Sequence, residues 1–66
     1  MNLKEALDII CVGDRPILLQ DKNNNKYYYN YMYQFEESEE YEKLLSLEVV
    51  SIDTDSYGGA VAFYLW

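Results

Sequence analysis

The chain has 66 residues, half of them hydrophobic and 17% aromatic, with twelve Asp and Glu against five Lys and Arg, no histidine and a net charge of −7. A chain that short buries only about 60% of the surface its unfolded form exposes, so it makes a single domain with a thin core. The charge balance argues against direct binding of DNA, RNA or an anionic membrane, all of which call for a positive surface. A charged partner is therefore expected to be basic. The hydrophobic content is too high for a disordered acidic tail.

Cys11 is the one cysteine, so no disulfide forms within the chain; its place in the run Ile9-Ile10-Cys11-Val12 predicts a small buried hydrophobe in a reducing compartment. The start, MNLKEALDIICV, has Glu5 and Asp8 where a secretory signal needs basic residues, and no window reaches the roughly 20 apolar residues of a membrane span. A cytoplasmic protein is the expectation.

In chain order, Leu3, Ala6, Leu7, Ile10 and Cys11 recur at helical spacing and predict a helix over residues 3–12. Asn2 caps it and Glu5 stands in the capping-box position, with Gly13 and Pro16 to end it. Residues 17–21 predict a mostly buried central strand, and Asp21 to Lys26 a polar turn into an antiparallel partner. That partner is expected over 27–35, with Tyr27, Tyr29, Tyr31, Tyr33 and Phe35 on one face and Tyr28, Asn30, Met32 and Gln34 on the other. A second helix is expected over 36–46, its inner stripe Tyr41, Leu44 and Leu45, its first turns crowded with glutamate, and Glu39 paired with Lys43.

The last third predicts a hairpin: a strand over 48–54 alternating around Val50 and Ile52, a turn over 55–59, and a strand over 60–66. The final strand is apolar on both faces, Val61, Phe63 and Leu65 against Ala60, Ala62, Tyr64 and Trp66, as suits a central or doubly covered position. The order α-β-β-α-β-β gives an α+β domain with two helices packed on a four-stranded, mainly antiparallel sheet, and a weak twofold pattern of helix and hairpin.

Enzyme chemistry finds no footing in the residues. Without histidine, neither Cys11 nor a serine has a general base, and Gly58-Gly59 is too short to cradle a phosphate. Glu36 and Glu40 are paired carboxylates, but an open helix face lacks the burial that splits such pKa values for acid–base work. Two fragments begin like calcium loops, at Asp21 and at Asp53, yet each lacks the later ligands, and turn chemistry explains both. No metal or cofactor is expected.

The informative stretch is KYYYNYMYQFEESEEYE, residues 26–42. Tyrosine is a good strand former and fills a thin core, and a glutamate run on a helix is commonly just a solvated face. Together they have a second use. Three successive tyrosines cannot all point inward from one strand, and exposed tyrosine makes wide, fairly rigid contacts. Carboxylates fixed beside them can pair with the Lys and Arg that a nucleic-acid-binding protein offers to phosphate.

In size, charge and the acidic helix EESEEYEK beside an aromatic strand, the chain resembles the small acidic proteins of phages and mobile elements, anti-CRISPR and other anti-defence inhibitors among them. The resemblance implies a non-enzymatic inhibitor that blocks a basic nucleic-acid-binding surface by acidic mimicry, in the host cytoplasm. Glu36, Glu37, Glu39 and Glu40 are the expected charge-pairing residues, with Tyr29, Tyr31 and Tyr33 as anchors. The alternative is a structural or accessory protein that forms a homodimer through the tyrosine-rich strand or an edge strand.

Overall fold

Asn2 opens the first helix by the expected device. Its Oδ1 accepts from the Glu5 N–H at 2.9 Å while Glu5 Oε1 accepts from the Asn2 N–H at 3.0 Å, and α1 runs Leu3–Ile9 behind this capping box. The computed structural model describes residues 1–10 and 12–66, Tyr57 by its backbone alone. Cys11, expected to be buried, lies outside the described residues. The helix ends earlier than its apolar spacing predicts, because Ile10 is already extended, and Gly13 turns the chain at φ +59.

The first hairpin pairs β1, Ile17–Gln20, with β2, Lys26–Tyr29. Asp21 Oδ1 accepts from the N–H groups of Asn23 and Asn25 at 2.9 and 3.0 Å, and Asn24 takes the left-handed conformation at φ +65. The turn is thus built as its asparagines predict.

Beyond Tyr29 the structure departs from the pattern. The strand expected over 27–35 stops at Tyr29, and α2, Met32–Glu36, takes over. The cause is Gln34, whose Oε1 accepts from the N–H groups of both Asn30 and Tyr31, at 2.9 and 3.2 Å. Those donors are spent on a helix start and leave the ladder. The helix expected over 36–46 is likewise corrected: α2 ends and a separate α3 spans Tyr41–Leu45. Ser38 Oγ donates back to the Phe35 carbonyl at 2.7 Å and closes α2. Glutamates at 36, 37, 39 and 40 would also repel one another at the three- and four-residue spacings of a continuous helix.

The break moves the glutamates away from the expected helix start, since α2 has no acid in its first turn and α3 only Glu42. It also leaves Glu39 outside α3, where it forms no ion pair with Lys43. The inner stripe survives, with Leu44 buried and Tyr41 and Leu45 packed against the core.

The second hairpin joins β3, Val49–Asp53, to β4, Val61–Leu65. The sheet order is β2-β1-β4-β3, with β1 and β4 parallel in the middle and each hairpin antiparallel. Among the described residues the domain is α+β, with three α-helices and a mixed sheet that is mostly antiparallel. The twofold pattern does not carry into the sheet: the inner strand is the first of one hairpin and the last of the other.

Register sorts the side chains. Tyr29, Ile17 and Val61 form one inward row; Tyr27, Leu19, Phe63 and Ile52 form another, with Leu65 and Val49 beyond. These residues join Leu3, Ala6, Phe35 and Leu44 from the three helices in one apolar cluster, so the helices cover that face. Val50, expected on the same strand face as Ile52, sits at a register shift and is exposed. Arg15 ties the β3–β4 turn to the entry of β1, its Nε donating to the Gly59 carbonyl at 2.8 Å and its Nη2 to that of Thr54.

Candidate partner-binding site

The aromatic run divides into two groups. Tyr29 turns inward from β2 and meets Phe35 at a ring-centroid separation of 5.4 Å; Phe35, fully buried, meets Tyr41 edge-on at 5.0 Å. Tyr29 therefore helps to close the core and is not the outward anchor its place in the run predicts. Its hydroxyl reaches Glu40 Oε2 at 3.4 Å.

Tyr31 and Tyr33 face the other way. Their rings stack at 5.8 Å with 13° between planes, and they are 51% and 57% exposed. Tyr31 stands at the entry to α2 and Tyr33 on its first turn, so the stack is held by the Gln34 bonds that start the helix. Glu36 and Glu37 follow Tyr33 by three and four residues, which puts them on the same side of α2, and both are exposed.

The structure thus brings together Tyr31, Tyr33, Glu36 and Glu37. Glu39 is exposed in the turn before α3, while Glu40 is half-buried beside Tyr29. Chemically the patch offers two parallel phenol faces, each rimmed by hydroxyl, with carboxylates about one helical turn away. Such a surface suits a cation with a planar or extended body, an Arg or Lys side chain, through ring faces and charge-assisted hydrogen bonds.

The other features of interest are further off. Both calcium-like carboxylates are engaged by their own turns, Asp21 as above and Asp53 Oδ1 by the Asp55 N–H at 3.0 Å. Among the described residues no cluster of His, Cys, Asp and Glu is placed to hold a metal ion, and no helix is long and apolar enough to cross a membrane. The Asn25 side chain, then the backbone N–H groups of Asn25 and Asn23 and the charge of Lys43, hold the Asp21 carboxyl below its usual pKa. An open cleft of about 230 Å³ lies between this turn, Lys43, Leu47 and Trp66.

The residues that sequence reasoning passed over lie on the sheet face away from the helices, where Tyr28, Leu18, Ala62 and Tyr64 fall by register. The signal was the second apolar face of the last strand.

No family model, curated protein or solved structure matches this chain.

Proposed function

We propose that the chain is a non-enzymatic protein-binding module that occupies a basic surface its partner uses to hold nucleic acid. In this reading it acts in the cytoplasm as an inhibitor of the kind phages and mobile elements direct at host nucleases and defence complexes. The observation that carries the reading is the exposed Tyr31–Tyr33 stack with Glu36 and Glu37 on the same side of α2, in a chain of net charge −7. Stacked rings fixed by a capped helix lose little conformational freedom on docking, and the carboxylates supply pairing partners for Lys and Arg.

The test is affinity capture on the immobilised chain, with retained proteins identified by mass spectrometry. Basic nucleic-acid-binding proteins should be retained, and added duplex DNA or raised salt should release them, since exposed charge pairs are screened. Replacing Glu36, Glu37, Glu39 and Glu40 together by Lys should empty the column of those proteins while the circular dichroism spectrum is unchanged. Retention of the same proteins by the reversed chain would sink the reading.

A further inference from the structure

The sheet has one face covered by helices and one that nothing else in the described chain packs over as a layer. By register the uncovered face presents Tyr28, Leu18, Ala62 and Asp53 in one row and Lys26, Gln20, Tyr64 and Ser51 in the next. Ala62 is already buried, Leu18 and Tyr64 are half-buried, and Tyr28, whose hydroxyl reaches toward Gly58 in the β3–β4 turn, is 49% exposed. Tyr28, Leu18 and Tyr64 leave apolar surface on this face that a partner's surface can bury.

Its charges say what docks there. Among the outward-facing strand residues only Lys26 and Asp53 are charged, so the face is neutral in a chain of net charge −7. They stand at diagonally opposite corners, on the two outer strands and two residues apart along the strand direction. Strand spacing separates them by about 16 Å, with Leu18, Gln20, Ala62 and Tyr64 between. A two-fold axis in the plane above the sheet, perpendicular to the line joining the two corners, lays Lys26 of each copy against Asp53 of the other. The same operation stacks the apolar centre on itself and leaves the charges at the rim, the usual arrangement of an interface.

The area agrees. The molecule is equally wide in all directions, 23 × 23 × 23 Å, with a total accessible surface of 4323 Å². One face of six is about 700 Å², close to the ~800 Å² per partner of a standard interface.

From this self-complementarity we infer that the uncovered sheet face binds a second copy of the chain, as a two-fold dimer with Lys26 and Asp53 paired across it. The Tyr31–Glu37 patch belongs to the helical layer, so the dimer displays that patch twice. This goes beyond the proposed function and stands whether or not that reading survives.

Sedimentation equilibrium of the full chain, from about 1 µM to about 1 mM, reads the association constant directly. The unmodified chain should dimerise. Lys26→Asp and Asp53→Lys should each weaken the dimer about tenfold or more, because each puts like charges together twice across the axis. Mixing the two variants in equal amounts should restore dimers, since the mixed pair regains both opposite-charge contacts. A zero-length carbodiimide cross-linker gives a second readout on the unmodified chain: a Lys26–Asp53 link must join two copies, the residues being too far apart within one. Tyr31→Ala with Tyr33→Ala should leave association unchanged.

A chain monomeric over the whole range would overturn the inference, as would single reversals that dimerise normally or a mixture that fails to recover. Loss of the dimer on removing Tyr31 and Tyr33 would place the interface elsewhere and overturn it too. Failure of the proposed function shows differently, as unchanged capture by the glutamate-reversed chain.

Discussion

Tyr29, Phe35 and Tyr41 make one aromatic group and Tyr31 and Tyr33 another, though four of the five lie within seven consecutive residues. The first group is wedged between β2, α2 and α3 and closes the core; the second is stacked in the open. Residue type does not separate them, since tyrosines occur in both. Position relative to one local event does: Gln34 captures two backbone donors, ends the strand and starts α2. Had the strand continued, every second ring would have shared one face.

The largest break in this comparison comes from Phe35→Ala. Phe35 has no exposed surface and touches a ring on each side, so its loss should cost about 3–5 kcal/mol, read by denaturant unfolding. In a chain this small that loss nears the whole stability. Gln34→Ala should cost about 1 kcal/mol, as expected for removing a capping acceptor. It should also raise amide exchange at Asn30 and Tyr31, and unchanged protection there would contradict the role given to Gln34.

Tyr31→Ala with Tyr33→Ala should move stability by only about 0.5–1.5 kcal/mol, the range for an exposed stacked pair. Capture of basic proteins should nevertheless fall away, which separates a surface built for contact from one built for packing. The smallest effect is expected at Asp21. Its folded pKa lies below the unfolded value, so its contribution is complete above about pH 4 and fades as pH falls through the folded value. The melting temperatures of the unmodified chain and Asp21→Asn should therefore differ at neutral pH and converge as pH falls through the folded value.

Much of the frame was legible. The Asn2–Glu5 capping box, the Asp21 turn and the central, apolar β4 are local features whose chemistry is written in adjacent residues. The middle of the chain was not. A period of two over residues 27–35 looked like strand, although Gln34 three residues after Tyr31 and the Met32–Phe35 spacing were signals for a helix start. Of the residues singled out for the site, Tyr31, Tyr33, Glu36 and Glu37 are exposed on one side of α2, whereas Tyr29 and Glu40 face each other at the edge of the core.

What the amino acids alone determined was composition made physical: an acidic chain of net charge −7, enough apolar residues for a thin core, and the local cap at Asn2 and turn at Asp21. Those properties depend on neighbours in the chain. The tertiary structure decided the parallel pairing of β1 with β4, which tyrosines close the core, and which sheet face stays uncovered. These outcomes depend on contacts between distant segments, where the burial of Phe35 and Phe63 outweighs the local preference of any one tyrosine for strand.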